Sequence, residues 1–256
     1  MRLNHHVLPL CLSMLAACAG QDQISGTNAS QSASDILAAK EVAPANNSAE
    51  HQYRVTIENM TTGQIFSPGV IATHTASSSV WDVGSAASEG IRAIAEDGNE
   101  IPALNNLSST SGVYEVISTG APINRIGGPA ELPTSRTYTI NAAANANRLS
   151  IAVMTICTND GITGVSGVKL PGGFKSETHL VGAWDAGTEQ NNQLFSQIVD
   201  PCQMAGPVSA PPDGNGRVAT NGVIETHPNI TPGVGDLTAA HRWQFPVARI
   251  TVQRLK

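Results

Sequence analysis

Apolar and polar residues first alternate in Gln52-Tyr53-Arg54-Val55-Thr56-Ile57-Glu58, with Tyr53, Val55 and Ile57 on one face and Arg54, Thr56 and Glu58 on the other. A period of two puts successive side chains on opposite sides of an extended chain, so the segment predicts a half-buried strand. Arg148 to Ile156 differs. Leu149, Ile151 and Val153 on one side and Ala152, Met154 and Ile156 on the other are all apolar, the pattern of a central strand covered on both faces. Thr137 to Asn141 and Thr178 to Trp184 are further strand candidates. Val247 to Val252 alternates again as a closing strand behind Pro246, a residue that suits a strand start.

One helix is expected. Ser85 can cap Ala86 to Asp97, in which Ala87, Ile91, Ile94 and Ala95 recur at helical spacing, and Gly98 stops it. Many short strands with turn clusters and one helix predict an all-β fold, a β-sandwich with one short helix, over residues 51–256. With 41% hydrophobic against 13% charged residues, the chain can build a substantial core. Residues 18–50 contain few large apolar groups and cannot bury enough surface to fold alone. They predict a flexible tether with an r.m.s. span of about 30 Å, with at most one or two helical turns over Ser34 to Val42. The net charge of −6 and the sparse Lys and Arg argue against nucleic acid or an anionic surface as the main partner.

Near the start, Leu15-Ala16-Ala17-Cys18 closes an apolar run that begins at Val7, with Arg2 ahead of it. The run is too short to cross a bilayer of ~30 Å as a helix. It resembles a bacterial lipoprotein signal, in which small residues admit a peptidase and the cysteine thiol takes a diacylglyceryl group. The resemblance implies a signal peptide over 1–17, lipid attachment at Cys18, and a tethered domain held on the cell envelope or surface by the lipid alone. Ala19 favours the outer membrane in a cell with two. Cys157 and Cys202 remain. Outside the cytoplasm they are expected to form a disulfide, closing a loop of about 45 residues and stabilising the fold by ~3–4 kcal/mol. The competing reading is a Cys/His metal site, although neither cysteine has a second ligand at metal-like spacing.

Several ordered blocks resemble the spondin N-terminal domain. Tyr53-Arg54-Val55-Thr56-Ile57-Glu58-Asn59 with Thr61-Thr62-Gly63-Gln64 opens the series. Phe66-Ser67-Pro68, Ala72-Thr73-His74, Ala87-Ser88-Glu89-Gly90 and Ala95-Glu96-Asp97-Gly98-Asn99 follow. Thr158-Asn159-Asp160-Gly161 precedes the most specific block, Ala183-Trp184-Asp185-Ala186-Gly187-Thr188-Glu189, and Pro246 to Val252 closes it. The resemblance spans about Tyr53 to Arg254 and implies a C2-like β-sandwich that binds calcium. Asp160 and Asp185 match two of the family's carboxylate ligands. The third aligns at Asn141, whose amide oxygen can ligate calcium but brings no charge. Calcium takes six to eight hard oxygen ligands, and Glu189, four residues past Asp185, could replace the missing acid. Read alone, Asn159-Asp160-Gly161 and Asp185-Ala186-Gly187 are equally ordinary turns.

Other candidates are weaker. His74 and His227 read as packing or turn histidines. Glu89, Glu96 and Asp97 read as the solvated side of the helix. Trp184 reads as core, and Trp81 as a contact residue near the surface. The chain holds no His-Glu-x-x-His, and Gly164-Val165-Ser166-Gly167 misses the nucleophile-elbow pattern by one residue. The expected function is therefore non-enzymatic: a secreted, lipid-anchored, calcium-binding adhesion or interaction module. Its partner would be an extracellular or envelope protein or a polysaccharide. The alternatives are an envelope-polymer hydrolase using Asp160, Asp185 and Glu189 as acid/base groups, and a purely structural envelope protein.

Overall fold

The computed structural model describes residues 50–256. The leader 1–17, the lipid site Cys18, the tether up to residue 49 and the helical turns over Ser34 to Val42 lie outside the described residues. Two antiparallel sheets form a β-sandwich. The first has the order β4-β1-β11-β8, made of β1 (Glu50–Asn59), β4 (Ser135–Ala143), β8 (Ser176–Val181) and β11 (Ala248–Arg254). The second has the order β10-β9-β6-β5-β2-β3, with β2 (Phe66–His74), β3 (Val113–Ser118), β5 (Arg148–Thr155), β6 (Gly161–Thr163), β9 (Ala183–Asp185) and β10 (Glu225–Thr226). β7 (Val168–Lys169) adds to the start of β5.

The alternation of β1 does what it predicts. Tyr53, Val55 and Ile57 are buried against Ile71, Leu149, Ile151 and Val153 of the second sheet, while Arg54 faces solvent. The uniformly apolar β5 is covered on both sides. Leu149, Ile151 and Val153 fill the space between the sheets. Ala152 and Met154 point the other way, onto a layer that includes Ile91, Ile94 and Ala95. That layer consists of the helices α1 (Glu89–Asp97) and α2 (Ile101–Ser108) with Trp81 beside them. Trp81 is thus an interior residue: it is 5% exposed, and its indole Nε1–H donates to Ile151 O at 3.1 Å. Trp184 packs edge-on to it at 5.2 Å.

Among the described residues, three short α-helices appear where one was expected; the third is α3 (Pro201–Ala205). α1 starts at Glu89 rather than Ala86. Ser88 is its cap, with Oγ accepting from Ile91 N at 3.3 Å. Ser85 is unavailable because its carbonyl accepts from Ile224 N at 2.8 Å, while Gly84 N donates to Ile224 O at 2.7 Å. Gly98 ends the helix as expected, with φ +63°. The single strand expected over Thr178 to Trp184 is two strands. The chain leaves β8 in the first sheet, turns at Gly182 and enters β9 in the second. Cys157 and Cys202 are disulfide-bonded, with Cα atoms 5.0 Å apart.

Candidate cation site

Asp160 lies in the turn between β5 and β6, and local hydroxyls build that turn. Thr158 Oγ1 donates to Thr155 O at 2.6 Å and accepts from Gly161 N at 2.8 Å. A Cβ on Gly161 would stand 2.4 Å from Thr155 Oγ1 and 2.5 Å from Thr158 Oγ1, so only glycine fits. The turn carries the Asp160 carboxylate into the interior, where it is fully buried. Its Oδ2 accepts three hydrogen bonds: Thr188 N at 2.6 Å, Thr188 Oγ1 at 3.1 Å and Glu189 N at 3.0 Å. Its Oδ1 is buried and has no partner.

Asp185 closes β9 and is paired in register with Gly161, which brings it beside Asp160. Asp185 is 5% exposed. Its Oδ1 accepts from Gly187 N at 2.7 Å, and its Oδ2 accepts from the Asn191 side-chain amide. Burial pushes the Asp160 carboxyl up to about 6, the negative charge of Asp185 adds to the shift, and the three donors on Oδ2 oppose it. The β6–β9 register thus sets the two aspartates next to each other. Asp160 Oδ1 is buried without a donor, while the other three carboxylate oxygens of the pair accept hydrogen bonds from the chain. A calcium-type cation fits here, since its charge would offset both the burial and the repulsion from Asp185 that raise Asp160.

Asn141 does not join them. It belongs to β4 in the other sheet, where its backbone carbonyl accepts from Thr73 Oγ1 at 2.7 Å and its side chain accepts from Gln52 at 3.3 Å. Thr73 pairs with Leu149 at the opposite end of β5 from Thr155, so about 20 Å of strand separates Asn141 from the Asp160 turn. The alignment failed because strand register is invisible where β4 alternates around polar residues.

Glu189 is near the pair but turned away from it. It is 3% exposed, and Arg217 Nε lies 3.0 Å from its Oε1 in an ion-pair contact that lacks hydrogen-bond alignment. The same guanidinium contacts Glu96 at 3.3 Å and also Asp97. Glu96 takes a second cation, with Arg92 at 2.7 Å. Burial pushes the Glu189 carboxyl up to about 8, repulsion from Glu96 adds to this, and Arg217 counters it. Glu96, expected to be solvated, is only 3% exposed. Sequence reading missed Arg217, which ends the Pro-, Gly- and Asp-containing segment Pro207 to Arg217 and carries no local signal of its three distant acids.

The histidines are structural in their contacts. His74 bonds Ser150 Oγ at 2.9 Å. His227 packs edge-on against Trp243, and its Nδ1 accepts from Asn229 N at 3.0 Å. Burial pulls His227 down to about 4 against the opposing influence of Asp185, so the ring is neutral at pH 7. Its Nε2 is buried without a partner.

Among known families, the Spondin_N description matches residues 46–201, a span that contains both aspartates and Glu189. A search of curated proteins found no match. β11 lies beyond the matched span but pairs with β1 over seven positions, Tyr53–Arg254 to Asn59–Ala248, and so completes the same sandwich.

Proposed function

Since the chain belongs to the Spondin_N family, we propose that it is an extracellular interaction module whose loops at one end are stiffened by a bound calcium ion. Membership supports the coarser part, an interaction module outside the cell. The finer part rests on one observation: the fully buried Asp160 has an oxygen with no partner beside a second buried carboxylate. Asp160 and Asp185 would hold the ion, with neighbouring backbone carbonyls and water completing its shell, and Asn141 takes no part. The ion would supply positive charge that ties the β5–β6 turn to the end of β9. Stiffened loops lose less entropy on meeting a partner, and binding gains accordingly. In this reading the protein is not an enzyme. It is held to the cell envelope by lipid on Cys18, and its partner is an extracellular or envelope protein or a polysaccharide.

A calcium titration tests the ion. At a free concentration a hundredfold above Kd, native-state binding stabilises by about 2.7 kcal/mol. For a domain of this size that raises Tm by roughly 5–11 °C. The rise should be present in the wild type and absent in Asp160→Ala. Superimposable wild-type melts in calcium and in chelator would remove the ion from the proposal and leave only the interaction module.

A further inference from the structure

A second group of metal-ligating side chains lies away from the aspartates. Cys157, Cys202 and His241 are all completely buried, and the two sulfurs and a ring nitrogen of His241 lie within 4.8 Å of one another. The disulfide accounts for the sulfurs but not for the histidine. His241 Nδ1 accepts from Thr238 N at 3.0 Å, whereas Nε2 is buried with no partner.

The scaffold that gathers these three groups does not depend on the S–S bond. Gln64, fully buried, donates from Nε2 to Cys157 O at 3.2 Å and to His241 O at 2.7 Å, and its Oε1 accepts from Cys157 N at 3.0 Å. One side chain therefore clamps the backbones of Cys157 and His241 together. Arg125 does the same for the third ligand. It donates from Nε to Ala205 O and from Nη2 to Gly206 O, both at 3.2 Å, and so pins the end of α3, the helix that carries Cys202.

We propose that the reduced protein binds one thiophilic divalent cation, zinc being the case argued, between Cys157 Sγ, Cys202 Sγ and His241 Nε2. Two thiolates and a neutral imidazole cancel the charge of Zn2+, which suits a site without solvent contact. With Zn–S bonds of about 2.3 Å, tetrahedral ligands stand roughly 3.8 Å apart, so the two sulfurs, bonded to each other in the disulfide, must separate on reduction, while all three ligand atoms start within 4.8 Å of one another. In the first step a dithiol reductant delivers two electrons and two protons to the disulfide and is itself oxidised to a disulfide. In the second, Zn2+ displaces both thiol protons to solvent. Nε2 must offer a lone pair, so the ring proton moves to Nδ1, which gives up the hydrogen bond that Nδ1 now accepts from Thr238 N. Thr238 Oγ1, 3.3 Å from Nδ1, is in place to accept it, the usual way a second group fixes a ligand histidine. The metal would then replace the disulfide as the cross-link between the β5–β6 turn and α3.

The test uses the full chain carrying Cys11→Ser and Cys18→Ser, reduced anaerobically and titrated with Co2+ as a spectroscopic substitute for zinc. The expected result is a thiolate-to-cobalt charge-transfer band with tetrahedral d–d bands that saturate at one equivalent and are bleached by Zn2+. The unreduced protein should give no such band. His241→Gln, checked for folding by circular dichroism in its oxidised form, should bind at least about tenfold more weakly. Zinc should also restore the Tm lost on reduction in the wild type but not in the variant. A reduced wild type without the bands overturns the proposal, whether it stays folded or unfolds. So does equal cobalt affinity in His241→Gln, or equal affinity for the urea-unfolded reduced chain.

Discussion

Asp160→Asn in the absence of calcium measures what burying an ionised carboxyl beside Asp185 costs the fold. The substituted side chain keeps an oxygen for the donors of Thr188 and Glu189 and puts an amide N–H2 where Oδ1 now lacks a partner. It also removes a buried charge beside Asp185. The sign follows from proton linkage. A carboxyl raised from an ordinary 3.8 to about 6 holds its proton more tightly in the folded state. Stability is therefore full below pH 3.8 and declines as pH rises through 6. At pH 7.5 the ionised group destabilises the fold by roughly 3 kcal/mol, and at pH 5 by about half of that. In chelator at pH 7.5, Asp160→Asn should thus be more stable than the wild type by up to about 3 kcal/mol, or roughly 6–12 °C in Tm. The gain should shrink at pH 5 and vanish near pH 3.5. Thermal melts followed by circular dichroism at these three pH values measure it. A variant that is less stable at pH 7.5, or whose difference from wild type is flat with pH, would refute the reasoning.

Further predictions concern the surroundings of the pair. Gly187 has φ +70°, and a Cβ there would meet Val223 N and O at 2.7 Å, so Gly187→Ala should cost about 2 kcal/mol or more in urea denaturation. Arg217→Gln leaves Glu96 and Glu189 without their shared cation. Breaking a buried pair costs 3–5 kcal/mol, which the partial exposure of Arg217 reduces to about 2. Because Glu189 is raised to about 8, it is ionised only above that pH, so its share of the loss should be largest near pH 9 and diminish as pH falls through 8. Replacing both Cys157 and Cys202 by serine opens a loop of 45 residues and should lower stability by about 3–4 kcal/mol, read as a lower urea midpoint.

What the sequence made legible was whatever a short period could encode. The alternation of Tyr53, Val55 and Ile57, the two-sided apolar run of β5 and the stop at Gly98 all appear in the structure as read. Features that depend on partners far along the chain were not legible. The true helix cap was decided by Ile224 drawing Ser85 into a different hydrogen bond. The break at Gly182 separates two sheets within what reads as one strand. Asp160 and Asp185 were paired only through the family resemblance, since each read alone is an ordinary turn. Asn141, placed by uncertain register, belongs to the far end of the sandwich. Glu96 looked like one charge on a wet helix face, and only the loop that brings Arg217 over it makes it an interior group.

The described fold begins at Glu50, which pairs with Ala143, while the Asp160 turn lies past the far end of β5. β1 runs the length of its sheet between β4 and β11, bonded to both. A pull on the chain ahead of Glu50, resisted by something gripping the opposite rim, would act along the axis of β1. Its rungs on both flanks would have to yield together in shear, rather than peel one at a time. Such an arrangement resists mechanical rupture well beyond what its equilibrium stability alone conveys.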